Sequence, residues 1–402
     1  MQHVRMNLIF EGFFFNVIIL INIVIYILDK TNALGFELYA VVGQIHGCGY
    51  PMAYLFLDNA KKNDGMRKAI LVEFLRSLKE CGLTNLKFFL TDKDWAQINA
   101  ARQVWPNIKV QLCLWHLEKA VNKRLADNKL PKVNNYNAGL ARMSVDFIDD
   151  TFVPLINTCD KKGFKFCPKN LQEKVLELIV KHFHLHPLIP NDDNMYFSID
   201  EIWILSVKEM YSFCVEYNLR HVWGYLWTNW YQKEYWVLWA RAANYELCLF
   251  KTTMLIESHW KVIKRDFLPR FFRPRLDLVI FIIIKRLLPH YQQRQDRILQ
   301  GREKPSWKKD FKKAWRKCEN HEKKENTHVT IVEKWVCSCY AFLLSRWPMC
   351  YHLVLLLQKD IGNDLAFFTK VKRQGIYPFL IYEKDQASNK ANVAVSNPNG
   401  NK

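Results

Sequence analysis

The chain has 402 residues, half of them hydrophobic, and its 14 Trp, 17 Tyr and 26 Phe can fill a large core. This composition excludes disorder over most of the length, and the length suggests two or three domains. The net charge of +19 favours a polyanionic partner, above all nucleic acid, over a charge that only keeps the protein in solution. An odd number of cysteines, 11, argues against a secreted disulfide framework and fits a reducing compartment, the cytosol or the nucleus.

An apolar run, FFFNVIILINIVIYIL, covers residues 13–28 near the start of the chain. It is shorter than the roughly 20 residues that cross a bilayer, and Asn16 and Asn22 interrupt it. Its many β-branched residues favour a buried first strand. A membrane anchor and an incorrectly assigned gene start are the alternatives for segment 1–28.

The next part of the chain predicts an α/β layer. Residues 36–59 predict a two-stranded hairpin, and residues 65–79 have the apolar spacing of a helix. A short strand at 86–90, a helix at 94–105 and a strand at 107–115 complete the pattern.

Residues 120–250 change to helical patterns and predict a helical insertion in the α/β domain. Five tryptophans recur here at near-helical spacing, which favours a core over a base-stacking surface: Trp223, Trp227, Trp230, Trp236 and Trp239. Three histidines at alternate positions would share one face of a strand and could bind a metal, although no fourth ligand is nearby: His182, His184 and His186. The helical pattern resumes at 252–290, a basic and solvated helical linker is expected at 291–328, and a disordered tail at 385–402.

The strongest local motif lies at 329–365, where Cys337, Cys339, Cys350 and His352 form the pattern C-x-C, ten residues, C-x-H. Zinc is commonly held by four thiolate and imidazole ligands in a closed tetrahedron. In an extended segment, Cys337 and Cys339 would point the same way, so both thiolates can reach one ion. The alternative is four unrelated buried residues. The pattern is similar to a SWIM-type zinc finger.

Asp92 stands where a predicted strand ends and a helix begins, a rigid place from which to present a carboxylate. Its alternative role is to cap the following helix.

Four segments together resemble Mutator-like element (MULE) transposases from about residue 31 to 275: TNALGFELYAVVGQIHGCGYPMAYLFLDN, FFLTDKDWAQINAARQVW, VQLCLWHLEKAV and TTMLIESHWKVIKRDFLPRFFRP. The resemblance implies an RNase H-like fold over 29–290, interrupted by the helical insertion, with a DDE triad. Its second Asp would be Asp92 and its Glu would be Glu257. A C-x-x-H pair, here Cys113 and His116, follows the second Asp. Two ligands alone rarely make a zinc site, so we expect this pair to serve local packing or DNA positioning rather than metal binding.

The implied chemistry is DNA strand cleavage and transfer by two Mg²⁺ ions that the carboxylates hold. Basic residues near Glu257 would bind the DNA backbone: Lys261, Lys264, Arg265, Arg270, Arg273 and Arg275. A solvated helix face is the alternative for these six residues.

The chain departs from the family at the first catalytic Asp, which should open a motif like D-x-T-Y-K-T-N. Here the text is YILDKTN, so the expected Asp aligns with Tyr26, and Asp29 lies three residues further on. A shift of three residues along a strand would put Asp29 on the opposite face. The triad is therefore complete in at most two positions, as expected of a truncated or decayed copy.

We therefore expect a zinc-binding and DNA-binding nuclear protein derived from a MULE transposase, with structural Zn²⁺ in the finger. The first alternative is an active DDE transposase that uses Mg²⁺ with Asp29, Asp92 and Glu257. The second is a protein anchored in a membrane through residues 13–28. The sequence leaves self-association open.

Overall fold

The computed structural model describes residues 7–9, 22–28, 34–45, 48–58, 64–84, 86–129, 135–155, 164–246, 248, 251–269, 271, 273–304, 306–321, 328–332 and 334–361. It divides into two compact units. Unit 1 comprises residues 1–116 and 250–310, and unit 2 comprises residues 117–249 and 311–402.

The strands are β1 (Asn7–Ile9), β2 (Asn22–Leu28), β3 (Glu37–Ile45), β4 (Cys48–Leu57), β5 (Phe88–Thr91), β6 (Lys109–Leu112), β7 (Thr330–Ile331) and β8 (Val336–Cys337). The α-helices are α1 (Asp64–Glu80), α2 (Trp95–Val104), α3 (Leu114–Ala126), α4 (Ala138–Ser144), α5 (Lys169–His184), α6 (Ile199–Glu216), α7 (Arg220–Leu226), α8 (Lys233–Trp239), α9 (Met254–Val262), α10 (Leu276–Ile282), α11 (Leu288–Leu299), α12 (Ser306–Glu319), α13 (Tyr340–Leu344) and α14 (Tyr351–Ile361).

Unit 1 is built on a six-stranded mixed sheet in the order β1-β4-β3-β2-β5-β6. Strands β2, β3 and β4 pair antiparallel, whereas β2, β5 and β6 run parallel. Every residue of β5 and β6 is buried, as expected where helices cover both faces of parallel strands. The structure confirms a mixed α/β fold, and the predicted hairpin and the α1-β5-α2-β6 succession are both present.

Unit 2 has a tryptophan-rich helical core. Trp223, Trp236 and Trp239 are fully buried, and Trp227 and Trp230 are at most 5% exposed. Two of the indole N–H groups find buried acceptors: Trp223 Nε1 donates to Tyr136 Oη at 2.8 Å and Trp239 Nε1 donates to the Trp230 carbonyl at 2.7 Å. The predicted core role is confirmed, and these rings do not form a base-stacking surface.

The histidine triplet does not lie on a strand, so that prediction was wrong. His182 and His184 belong to α5, and His186 follows its C-terminal end. All three are buried, and His182 Nδ1 lies 2.7 Å from Tyr231 Oη. They belong to the helical core of unit 2.

The segment expected to be a solvated linker is helical, as predicted, but one face of α12 is buried. Phe311 and Trp315 are each 1% exposed, and the Phe311 ring packs edge-on against Trp347 at 5.9 Å. Residues 311–319 are therefore part of the packed structure that carries the C-x-C and C-x-H motif.

The apolar N-terminal run contains strand β2, in which Ile23 and Ile25 are fully buried. Among the residues that the structure describes, no helix combines the length and apolar character needed to cross a bilayer. Residues 10–21 and the predicted tail at 385–402 lie outside the described residues.

Candidate functional site

Asp92 follows the end of β5 but does not cap helix α2. The N-cap of α2 is Asp94, whose side chain accepts from the backbone N–H groups of Ala96 and Gln97. Arg67 Nη1 donates to the same carboxylate at 3.2 Å, which fixes Asp94 from α1. The alternative role of Asp92 as the cap is therefore wrong.

Asp92 lies instead against the C-x-x-H pair. Its Oδ1 is 2.6 Å from Nδ1 of His116, which sits in the first turn of α3. The contact is an ion pair rather than an aligned hydrogen bond, because the buried Asp92 Oδ1 has no correctly oriented donor in the described part of the chain. Ligand atoms of Asp92, Cys113 and His116 all lie within 4.8 Å of one another.

Cys113 connects this group to the residues in front of α9. Its Sγ accepts from both the backbone N–H and the hydroxyl of Thr253, each at 3.4 Å. A backbone hydrogen bond of 2.8 Å, from Leu114 N–H to the Lys251 carbonyl, joins the same two segments. The start of α3 is thereby fastened to the segment that precedes Glu257.

Glu257 lies in the first turn of α9, and its Oε1 is 3.5 Å from the Thr253 hydroxyl. Helix α9 can approach the sheet closely because β4 carries a glycine beneath it. A Cβ at Gly49 would lie 3.2 Å from Leu255 Cβ and 3.0 Å from Val42 Cγ1. On the inner side of α9, the imidazole of His259 sits between the hydroxyls of Tyr54 and Tyr291, at 2.8 and 3.0 Å. These contacts hold α9 against the sheet, and the Thr253 hydroxyl lies near both Glu257 Oε1 and Cys113 Sγ.

The electrostatics of the cluster favour a protonated imidazole next to an acidic thiol. Burial lowers the pKa of His116, but the contacts with Asp92 and Cys113 outweigh it and raise the pKa to about 9. Burial raises the pKa of the Cys113 thiol, yet the neighbouring His116 and Thr253 donors give a net lowering. Cys113 also directly precedes α3, and the amino-terminal end of a helix stabilises a thiolate.

The register of the sheet bears on the first catalytic position. Val24 of β2 pairs with Leu90 of β5, and Tyr26 and Asp92 each lie two residues further along the chain. Tyr26, which aligns with the expected first Asp, thus lies in β2, the strand that pairs with β5. Asp29 lies outside the described residues.

The basic side chains expected to bind DNA divide into two sets. Lys261 lies one helical turn after Glu257 on α9 and is exposed, and Lys264 and Arg265 are exposed in the π-helical turn Ile263–Phe267 that follows α9. Arg273 and Arg275 are also exposed, but Arg275 pairs with Asp277 at 2.8 Å. Arg270 lies outside the described residues.

The predicted zinc ligands in unit 2 converge on one buried point. Cys337 comes from β8, Cys339 is the N-cap of α13, Cys350 precedes α14 and His352 lies in its first turn. All four are at most 5% exposed, and their ligand atoms lie within 4.8 Å of one another. Cys337 Sγ is 3.7 Å from His352 Nδ1, close to the roughly 3.6 Å that tetrahedral zinc with ordinary Zn–S and Zn–N bonds would require.

The surroundings of the sulfurs also suit a cation. Thr330 Oγ1 donates to Cys337 Sγ at 3.2 Å, and the Phe342 N–H donates to Cys339 Sγ at 3.3 Å. Hydrogen bonds from Cys339 and Cys350 lower the pKa of Cys337. The pKa of Cys350 is raised by its bonds to Cys337 and Cys339, since thiolates so close repel each other unless a cation joins them. The four side chains therefore fit zinc.

Two anchoring residues were not found from the sequence. Thr253 joins Cys113 to Glu257, and Asp192 holds the strand of the cysteine motif by accepting from Ser338 Oγ and from His328 Nδ1, the latter at 2.8 Å. Both act across more than 130 residues of chain, a distance over which local sequence patterns carry no signal.

Comparison with known proteins finds similarity in one region. No curated protein matches the chain. A family model described as the MULE transposase domain matches residues 28–120, a segment that contains Asp92, Cys113 and His116. Residues 28–120 thus support the resemblance to the MULE family, while Tyr26, Glu257 and the cysteine motif lie outside the match.

Proposed function

We propose that the chain is a DNA-binding nuclear protein derived from a MULE transposase, with a structural zinc ion in a SWIM-type finger and an incomplete catalytic centre. An RNase H-like core in unit 1 is supported by a sheet in which three antiparallel strands are followed by two parallel ones. The match at residues 28–120 supports the ancestry.

The observation that carries this proposal is that a tyrosine, Tyr26, stands where the family motif has its first catalytic Asp, on the strand that pairs with β5. Two-metal catalysis needs carboxylates that hold both cations for in-line attack. A tyrosine at the first position removes one of these carboxylate ligands, although Asp92 and Glu257 are present. Binding to DNA needs no such ligand and can outlast the loss of catalysis.

A basic segment that begins in α9 and continues just beyond it supports DNA as the partner. Lys261 is exposed on the helix that carries Glu257, and Lys264 and Arg265 are exposed in the π-helical turn Ile263–Phe267 that follows it, in a chain with a large positive charge. Phosphate contacts of this kind supply most of the affinity of non-specific DNA binding.

Binding of duplex DNA by the full chain at several salt concentrations tests this part. We expect the affinity to fall steeply with salt, and the double variant Lys261→Gln/Lys264→Gln to reduce the log–log slope by about 1.8, or about 0.9 for each lost phosphate contact. The control, Lys165→Gln/Lys169→Gln, makes the same change in net charge at exposed sites elsewhere. Equal effects of the two variants would identify a general charge effect and refute a binding surface at Lys261 and Lys264.

Active DDE chemistry is the second candidate, because the contacts of Thr253 link Glu257 to Cys113 and thus to the Asp92 cluster. Incubation of the full chain with DNA and Mg²⁺ separates the two candidates. We expect no strand cleavage above that of the Asp92→Asn variant. Mg²⁺-dependent cleavage that Asp92→Asn abolishes would establish an active enzyme instead.

A further inference from the structure

We propose that Asp92, Cys113 and His116 form a second metal site, which binds one thiophilic divalent cation of the zinc class. The proposal rests on the side chains of unit 1 and does not depend on whether the chain binds DNA. It differs in chemistry from a magnesium centre, because a thiolate and an imidazole supply two of the three ligands.

The donor set decides which cation fits. Mg²⁺ prefers an octahedron of oxygen atoms, whereas thiolate, imidazole and carboxylate together are ordinary ligands of Zn²⁺. Three protein ligands leave one position open for water. Since Tyr26 stands where the family motif has its first Asp, the site has fewer oxygen ligands for Mg²⁺ and keeps those that suit zinc.

The geometry of the cluster supports a common ion. The three ligand atoms lie within 4.8 Å of one another. Asp92 Oδ1 is buried and has no oriented donor among the described residues, although His116 Nδ1 is only 2.6 Å away. Two ligands of one tetrahedral zinc ion would be roughly 3.3 Å apart, so metal binding has to widen this contact by less than 1 Å. The protons of the Cys113 thiol and of His116 Nδ1 would pass to solvent as the cation enters.

Thr253 acts as the outer partner of this site. Its N–H and its hydroxyl both donate to Cys113 Sγ, which orients the sulfur and stabilises the thiolate. Outer-shell hydrogen bonds of this kind change metal affinity by about 10-fold to 100-fold. We therefore expect Thr253→Val, which keeps the shape but removes the hydroxyl, to weaken zinc binding at this site by that factor.

The test is the metal content of the full chain, purified with zinc and dialysed. We expect two zinc ions per chain in the wild type, one in Cys113→Ser and one in Cys339→Ala. The exposed Cys81 supplies the control for adventitious thiol binding, and Cys81→Ser should keep two. One zinc ion in the wild type, retained in Cys113→Ser and lost in Cys339→Ala, would overturn the proposal.

A second readout covers the possibility that Cys113→Ser does not fold. Co²⁺ added to the full chain with its finger loaded with zinc should produce a thiolate-to-cobalt absorption band. His116→Ala keeps the sulfur, so its band should appear only at Co²⁺ concentrations at least about 10-fold higher than in the wild type. Equal titrations of wild type and His116→Ala would refute a shared site. Loss of DNA binding with an unchanged band would reject the proposed function and leave this inference standing.

Discussion

Asp92 and His116 meet at the ends of β5 and α3, with 2.6 Å between the carboxylate Oδ1 and the imidazole Nδ1. The two residues are far apart in the sequence, so local patterns do not predict this contact. The nearby Asp94, and not Asp92, caps helix α2. The side chain of Asp92 is thus left to act at the edge of the sheet with Cys113 and His116. In the proposed metal site, these neighbours favour a zinc-class ion over Mg²⁺.

The cysteine motif should lose its stability when zinc is removed. We expect Cys339→Ala, or treatment of the wild type with a chelator, to remove zinc from the site formed by Cys337, Cys339, Cys350 and His352. The thermal unfolding temperature of the protein should then fall. In small zinc domains metal binding supplies much of the folding free energy, about 10–16 kcal/mol in isolated fingers. Differential scanning calorimetry with and without added Zn²⁺ measures the effect. Cys81→Ala is the matched control, and an equal loss in both variants would contradict a zinc site.

Much of this site could be predicted from the sequence, because the ligands are close together in the chain and their types and spacing are restrictive. The hairpin β3–β4 and the succession from α1 to β6 were likewise predicted from local periodicity. The histidine triplet shows the limit of that method. Alternation at His182, His184 and His186 has the period of a strand, but α5 continues through His184 and ends just before Pro187, as helices usually do. Thr253, 140 residues from Cys113, gives no local signal at all.

Helix α12 presents a basic face that should also contribute to DNA binding. Lys312, Lys313, Arg316 and Lys317 are exposed, while Phe311 and Trp315 anchor the opposite face. We expect the triple variant Lys312→Gln/Lys313→Gln/Arg316→Gln to reduce the salt slope of DNA binding by up to about 2.7, or about 0.9 for each phosphate contact. Fluorescence anisotropy with labelled duplex DNA measures this slope. An unchanged slope would show that α12 is only a solvated surface.

Buried His186 should make the folded protein sensitive to mild acid. Burial, with the nearby Arg241 charge, lowers its pKa from 6.5 to about 3, and its Nδ1 accepts from the Leu188 N–H at 3.2 Å. Between pH 6.5 and about 3 the unfolded chain therefore binds a proton that the folded chain does not. The free energy of unfolding should therefore decrease as the pH is lowered through this window, by at most about 1.4 kcal/mol per pH unit from this group.

The variant His186→Asn keeps an acceptor for Leu188 but cannot take up the proton. It should lose less stability than the wild type as the pH falls, even if it is less stable at neutral pH. Urea unfolding at a series of pH values gives the two slopes. Parallel curves for wild type and variant would contradict the assignment of a neutral buried His186.

Gly224 in α7 tests the packing of the tryptophan core. A Cβ at this position would lie 2.8 Å from Pro154 Cγ and 3.4 Å from Tyr136 Cβ, closer to the proline ring than real side chains come. Overpacking of this kind costs about 1–3 kcal/mol, and the better helix propensity of alanine returns at most about 1 kcal/mol. We therefore expect Gly224→Ala to lower the free energy of unfolding. Gly139→Ala is the matched control, because its Cβ would meet only Asn137 Oδ1, at 3.4 Å, and should be neutral or stabilising. Equal stabilities of the two variants in urea unfolding would show that α7 can shift away from Pro154, and that the core around Trp223 is less tightly fixed than its buried hydrogen bonds indicate.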